Sequence, residues 1–232
     1  MKGKAYANKR PKKLLSDLRA SDLYETPKSI WWEFLKTDEM NDIKTILEPS
    51  CGFMATSKVF EEKGFDVTSR DLMYGNDFLN DEYEENSYDC VLTNPPFSLF
   101  DKFVTRAKRI AAKKVVMIGK TNFLGAYSRY KNNLFNECSA IYVLNRQVDY
   151  QFPVQDNGDV GVGCLVSCVY VWTKGYKGEP VVRFLNMQPY CKLGSYDKWI
   201  RNHPEYTKPD SFVYNGKTCT QQELIKGVYN ED

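Results

Sequence analysis

Short apolar segments alternate with helical patterns along most of the chain, and this alternation restricts the fold more than any other feature. The apolar segments end at turns or before helical patterns, and they cover 44–49, 65–72, 88–93, 114–119 and 140–145. Helix-compatible segments lie at 27–35, 54–63, 99–111 and 126–137. Continuous apolar strands alternating with helices are typical of a mainly parallel sheet with helices on both faces. The sequence therefore predicts an α/β fold.

Two later apolar segments, 164–172 and 181–185, have no helical pattern between them. Antiparallel strands can be joined by a short turn, whereas parallel strands need a longer crossover. We therefore expect these two segments to pair antiparallel at one edge of the sheet.

Charge is unevenly distributed along the 232 residues. Residues 1–20 carry seven basic side chains and one acidic side chain, whereas the whole chain has a net charge of +2. A basic arm on a mildly acidic body suits attraction to a phosphate backbone, although a terminal charge run is as often a solvated tail. We expect a basic arm over 1–23, one catalytic domain over 24–186, and a C-terminal extension over 187–232 that could serve in recognition.

Several classes of function are disfavoured because their usual residues are scarce or badly spaced. The seven cysteines include no CxxC pair, and the only histidine is His203. A zinc site and hydrolysis through a histidine base therefore both lack their common residue patterns. Scattered cysteines are typical of reduced thiols, and no apolar run approaches the ~20 residues of a membrane span. We expect a cytoplasmic protein with neither a bound metal nor a membrane segment.

Residues suited to ligand binding follow three of the predicted strands. Glu48–Gly52 follows the first strand, Asp71 follows the second and Asn94–Phe97 follows the third. In an open parallel sheet, ligands bind beyond the carboxyl ends of the strands. We therefore expect these residues to form one site.

The Asn94–Phe97 turn carries the most specific chemistry in the sequence. Its two prolines stiffen the turn and remove backbone donors. The Asn94 amide oxygen and the Pro95 carbonyl could both accept hydrogen bonds from one amino group, and Phe97 could stack on a planar ring. This combination suits the exocyclic amine of adenine or a carboxamide, although a strand-ending turn with a core phenylalanine has the same pattern.

Residues 24–172 resemble the amino-group S-adenosylmethionine-dependent methyltransferases, specifically the small DNA adenine-N6 methyltransferases often found in phages. The resemblance rests on ILEPSCG at 46–52, on Asp71 after the second strand and on Asn94–Phe97. It implies a Rossmann-like methyltransferase fold, S-adenosylmethionine as the cofactor and DNA as the partner.

The same resemblance implies roles for individual residues. Asp71 corresponds to the acid that binds the cofactor ribose, and Asp77 and Phe78 correspond to residues that contact the cofactor adenine. The full set expected at the cofactor is Tyr24, Thr26, Pro27, Glu48, Ser50, Gly52, Asp71, Asp77, Phe78 and Asn94. The segment expected to hold the target amine and stack the target base is Asn94, Pro95, Pro96 and Phe97.

The first motif departs from the family pattern at one position. A second glycine usually follows two positions after the first, but Met54 stands there. We expect the Met54 side chain to lie next to the cofactor and to crowd it.

Glu48 and Asn94 are 46 positions apart, which leaves no room for an inserted recognition domain. Recognition would then depend on the basic arm, the segments 120–135 and 146–163, or the C-terminal extension, none of which is large. We therefore expect a loosely defined target site, or help from a second protomer or a partner protein.

The same motifs are compatible with three other functions. Related RNA adenine-N6 methyltransferases carry similar turns, and methylation of a protein glutamine uses a related one. A nucleic-acid-binding module with a decayed cofactor pocket is the third, and Met54 favours it.

Overall fold

A computed structural model describes residues 26–145 and 166–187 and the backbone of a strand pair, Phe212–Tyr214 and Lys217–Cys219. Seven strands form the main sheet: β1 (Thr45–Glu48), β2 (Asp66–Ser69), β3 (Tyr88–Thr93), β4 (Ala111–Lys120), β5 (Cys138–Leu144), β6 (Ser167–Thr173) and β7 (Val181–Leu185). In the described residues one α-helix precedes β1 and three lie between later strands: α1 (Lys28–Phe34), α2 (Ala55–Glu61), α3 (Phe100–Ile110) and α4 (Tyr127–Lys131).

The sheet is mainly parallel, with the strand order β2-β1-β3-β4-β6-β5-β7. Strands β2, β1, β3 and β4 run parallel to one another, and β6 runs antiparallel to both β4 and β5. Since the parallel strands end at the same edge, the residues after β1, β2 and β3 lie on one side of the molecule. This arrangement confirms the predicted fold class.

The predicted pairing of the two late segments is wrong. Strand β6 inserts between β4 and β5, and β7 pairs parallel with β5 at the sheet edge. Six consecutive residues of β6, Ser167–Trp172, are buried. A strand buried on both faces is more stable inside the sheet than at its edge, so β6 lies between β4 and β5 and does not pair with β7, the next strand in sequence.

Two apolar clusters cover the two faces of the sheet. One contains Trp31 and Phe60 from α1 and α2, and the other contains Phe103 and Ala107 from α3. Helices therefore pack on both faces, as the sequence predicts. In the described part of the chain, none of the helices has the length and apolar character required to cross a bilayer.

Two predicted helix ends differ from those observed. Pro27 is the N-cap of α1 rather than its first residue, and Thr26 precedes the helix. The predicted helix 126–137 ends at Lys131, and the turn beyond it contains Asn133 and Glu137 with positive φ angles. Backbone in that left-handed region cannot continue an α-helix.

Candidate active site

A cavity opens at the carboxyl ends of β1, β2 and β3. Its walls come from the β1–α2 loop, from residues after β2, and from the turn after β3. Ligands commonly bind at this position in open parallel sheets.

The cavity brings together nine of the residues singled out in the sequence: Thr26, Glu48, Ser50, Gly52, Asp71, Asp77, Phe78, Asn94 and Pro96. Pro27, Pro95 and Phe97 do not line it, and Tyr24 lies outside the described residues. Cys51 and Thr56 also line the cavity. Sequence reasoning missed Thr56 because nothing in the pattern distinguishes a helix residue that faces a site from one that faces the core.

Asp71 fixes the loop that forms the cavity wall. One carboxylate oxygen accepts the backbone N–H of Gly52 at 2.9 Å, and the other accepts that of Met73 at 3.0 Å. Burial raises the pKa of Asp71 although these hydrogen bonds oppose the rise. Gly52 has a φ of 49°, a conformation that glycine adopts without strain. The acid after β2 therefore holds the turn after β1 in place.

Glu48 is almost completely buried, with 2 % of its surface exposed. The Ser57 hydroxyl donates to its carboxyl group, and the Thr56 hydroxyl also hydrogen-bonds to it. Thr56 in turn accepts the indole N–H of Trp31 at 2.8 Å. Burial raises the pKa of Glu48 to about 8. Burial thus favours the protonated form of this acid, and a cation beside it would favour the carboxylate.

Replacing Glu48 with glutamine is expected to reduce the pH dependence of stability. Between the unfolded value of about 4.5 and the folded value of about 8, the folded chain holds a proton on Glu48 that the unfolded chain has lost. The free energy of unfolding should therefore fall as pH rises through this window, by on the order of a few kcal/mol. Thermal unfolding across about pH 5 to 8 should show that the stability of Glu48→Gln depends less on pH than that of the wild type. Equal pH dependence in the two proteins would contradict the raised pKa of Glu48.

Ser50 connects the two loops on either side of the cavity. Its hydroxyl lies 2.7 Å from the Thr93 hydroxyl and 3.3 Å from the backbone carbonyl oxygen of Asn94, to which it donates. This contact fixes the start of the Asn94–Phe97 turn against the β1–α2 loop.

The side chain of Asn94 is partly buried, and its hydrogen-bonding capacity is not fully used. Its Oδ1 atom is buried and has no hydrogen-bond partner among the residues that the structure describes. Leaving a buried acceptor unpaired costs about 1–3 kcal/mol. Buried polar atoms without partners are rare in folded proteins, and this one lies on a residue that lines the cavity. It is therefore a candidate acceptor for a ligand donor.

Phe97 lies beside the cavity rather than in its wall. Its ring packs edge-to-face on Phe123 with centroids 5.9 Å apart, and the Lys120 ammonium lies 4.9 Å from its centroid. Sequence reasoning did not single out Lys120, although it is the last residue of β4 and therefore another strand end. The ring is supported on one side and half-buried overall.

Asp77 and Phe78 form the far wall of the cavity. The Asp77 carboxylate accepts the backbone N–H of Leu79 at 3.0 Å and the side-chain amide of Asn80 at 2.8 Å. Phe78 is buried and its centroid lies 4.9 Å from that of Phe103. A carboxylate has about four acceptor positions, so Asp77 retains capacity for a further donor.

The expectation that Met54 crowds the cavity is not supported, because Met54 does not line it. Met54 instead adopts a left-handed backbone with a φ of 65° as the N-cap of α2. This conformation favours glycine because a Cβ atom is strained there. The family that the sequence resembles usually has a glycine at this position. In this chain the position is a strained turn and does not provide space for a ligand.

Replacing Met54 with glycine is expected to stabilise the chain by about 1 kcal/mol by relieving this strain. The exposed Lys58 in the same helix provides the control, because Lys58→Gly should destabilise by about 1 kcal/mol. Chemical denaturation of both variants measures the sign of each change in the free energy of unfolding. If Met54→Gly destabilises the chain as much as Lys58→Gly does, the backbone at Met54 is not strained.

Metal chemistry has no evident centre in the described part of the chain. Across residues 26–145 and 166–187, no group of three or more histidine, cysteine or acidic side chains is placed to hold a metal ion.

No protein-family model matches the sequence, and no curated protein matches it. A protein of Listeria monocytogenes, provisionally assigned as a class I S-adenosylmethionine-dependent methyltransferase, is similar in structure with a TM-score of 0.51 and 16 % identity. The match covers 78 % of this chain and 70 % of that chain.

Two weaker similarities are to a type I restriction-modification methyltransferase subunit from Streptococcus thermophilus and an S-adenosylmethionine-dependent methyltransferase from Archaeoglobus fulgidus. The first has a TM-score of 0.48 at 10 % identity and covers 91 % of this chain and 54 % of that chain. The second has a TM-score of 0.44 at 9 % identity and covers 63 % and 92 %. The similarity to the Listeria monocytogenes protein shows that this chain has a Rossmann-like methyltransferase fold.

Proposed function

We propose that this protein transfers a methyl group from S-adenosylmethionine to the N6 amine of adenine in DNA. The observation that carries the proposal is the unpartnered Oδ1 of Asn94, which lies on a cavity-lining residue within the Asn94–Phe97 turn. An acceptor kept buried and unpaired at a strand end suits an amino-group donor that arrives only with substrate.

The cavity residues fit S-adenosylmethionine in chemistry. In this proposal Glu48 would pair with the ammonium of the methionine part, Asp71 would accept from the ribose hydroxyls and Asp77 would accept from the adenine amine. Phe78 offers an apolar wall for the adenine ring.

S-adenosylmethionine supplies an electrophilic methyl group on a sulfonium and needs no further activation. Asn94 and the Pro95 carbonyl would accept both N–H bonds of the target amine and direct its lone pair towards the methyl carbon. Holding reactants in this alignment can supply on the order of 7–11 kcal/mol. As the N–C bond forms, the methyl C–S bond would break and leave the neutral thioether of S-adenosylhomocysteine. The methylated amine would then lose its extra proton to water, so the site needs no strong general base.

The target base must leave a duplex stack before it can reach Asn94, which costs a few kcal/mol. Stacking on the half-buried Phe97 ring would return about 1–3 kcal/mol. Phe97 lies beside the cavity. A base stacked on it would therefore lie next to the cofactor and would not occupy the cofactor site.

Transfer of radiolabelled methyl groups to duplex DNA, single-stranded DNA, RNA and protein, run side by side, tests this proposal. We expect label on adenine in DNA and heat on calorimetric titration with S-adenosylmethionine. Label found on RNA alone, or on protein glutamine, would mean that RNA or protein is the substrate instead of DNA. Absence of both heat and thermal stabilisation would favour a non-catalytic nucleic-acid-binding module.

Target selection would need surfaces outside the cavity, or a second protomer or partner protein. Modified plasmid DNA is expected to have a short or loosely defined methylated sequence. Sequencing that finds a long, strict motif for the isolated protein would contradict this expectation.

A further inference from the structure

Two tyrosines are exposed on a short helix beside the candidate site. Tyr127 is 76 % exposed and Tyr130 is 77 % exposed. They are three residues apart on α4 and therefore share one face of the helix. Leu124, just before the helix, is 46 % exposed. Exposed aromatic side chains grouped on one surface indicate a binding function more strongly than single exposed apolar residues do.

Contacts place this helix next to Phe97. The Phe97 ring packs against Phe123, and the Arg129 guanidinium of α4 lies 4.1 Å from the Phe123 centroid. Arg129 is also held by Asp101 at 2.6 Å. Arg129 therefore fixes the inner face of α4 against the Phe97 side of the site, while the tyrosines face solvent.

The segment that carries the tyrosines is basic, although Tyr130 also lines a groove with Glu137 and Glu179. Residues 120–136 include three basic side chains and no acidic one, although the chain beyond residue 20 is net acidic. Lys120 and Lys131 form no ion pair with any of the described residues. Lys120 moreover lies directly over the Phe97 ring. Unpaired cations interleaved with exposed aromatic rings are typical of surfaces that bind single-stranded nucleic acid.

We propose that Lys120, Tyr127, Tyr130 and Lys131, termed here the tyrosine surface, bind the unpaired DNA strand on one side of the target adenine. The proposal rests on the proposed function, since it assigns the position of the strand whose adenine enters the site. The tyrosine rings stack on bases that flank the target, and the lysines contact phosphates. Bases inside a duplex have both faces covered, so the occupant is a locally unpaired strand.

Fluorescence anisotropy with a labelled single-stranded oligodeoxynucleotide of about 12 nucleotides, in the presence of S-adenosylhomocysteine, tests the tyrosines. Tyr127→Ala and Tyr130→Ala should each weaken binding about tenfold, and the double variant about a hundredfold. Tyr127→Phe and Tyr130→Phe should retain affinity because they keep the ring. Phe184→Ala provides the matched control: Phe184 is 69 % exposed on β7, at the sheet edge.

The salt dependence of the same measurement tests the lysines. Removing one phosphate contact to a single strand lowers the slope of log Kd against log salt by about 0.7. Lys120→Gln and Lys131→Gln should each lower the slope by that amount, whereas the tyrosine variants should leave it unchanged. An unchanged slope for both lysine variants overturns their assignment.

The outcomes separate this proposal from the proposed function. Wild-type protein that methylates adenine, with tyrosine variants that bind the oligodeoxynucleotide as tightly as wild type, overturns the tyrosine surface alone. If those variants instead lose self-association in sedimentation, the surface contacts a second copy and the proposal is also wrong. Wild-type protein that methylates adenine in duplex DNA but binds no single-stranded oligodeoxynucleotide also overturns the tyrosine surface alone. Wild-type protein that binds cofactor but methylates no DNA contradicts the proposed function.

Discussion

Asn94→Ala is expected to lower the rate of methyl transfer by at least two to three orders of magnitude. In other enzymes, the loss of one side chain that hydrogen-bonds to the transition state lowers the rate by about this much. The substitution removes the acceptor that orients the target amine. It leaves Glu48, Asp71 and the glycine loop untouched, so the calorimetric affinity for S-adenosylmethionine should change little.

The stability of the same variant distinguishes a functional residue from a structural one. Within the described part of the chain, Asn94 Oδ1 is buried without a partner, so removing it should leave the free energy of unfolding unchanged or raise it by up to about 1 kcal/mol. Asn41→Ala, at an exposed position whose side chain hydrogen-bonds to Asp38, controls for loss of an amide and should retain full activity. Full activity in Asn94→Ala would refute the role assigned to the turn.

Asp71→Ala is expected to lose both cofactor binding and stability. The carboxylate accepts backbone N–H groups from Gly52 and Met73, and both donors lose their acceptor in the variant. Because Asp71 is only half-buried, water compensates in part, and we expect a cost of about 2 kcal/mol. In a chain of this size that lowers Tm by about 4–8 °C.

Two further variants separate the causes of that effect. Asp71→Asn keeps one carbonyl acceptor, so it should recover part of the stability while binding the cofactor weakly. Asp66→Ala, at the exposed opposite end of β2, removes an acid from the same strand and should change neither property. Wild-type cofactor affinity in Asp71→Ala would contradict its placement at the ribose, whatever the change in Tm.

The position of the site could be predicted from the sequence because it depends on local signals. The strands before Glu48, Asp71 and Asn94 are short continuous apolar runs, and parallel pairing brings their ends to one edge. The rule that ligands bind beyond strand ends then selects the residues that line the cavity.

The position of β6 could not be predicted in the same way. Its apolar pattern fits an interior strand and an edge strand equally well, and pairing with β4 and β5 is decided by contacts distant in sequence. The observed position of the Met54 side chain differs from the expected one for a related reason. A sequence motif specifies the turn, but the packing around it decides which side chains face the cavity.

The hydrogen-bond chain from Trp31 through Thr56 to Glu48 has no sequence signature either. Trp31 and Thr56 are 25 positions apart and meet only when α1 packs on α2. The raised pKa of Glu48 follows from that packing, and an acid at a strand end does not by itself indicate it.

Mass spectrometry of nucleosides from DNA treated with trideuteromethyl-labelled S-adenosylmethionine tests the central claim most directly. The wild-type protein should give adenine that carries the label at N6, and Asn94→Ala should give none while still binding the cofactor. Label on another base position, or none on DNA despite measurable cofactor binding by the wild type, would contradict the claim that the Asn94–Phe97 turn presents an adenine amine to the methyl donor.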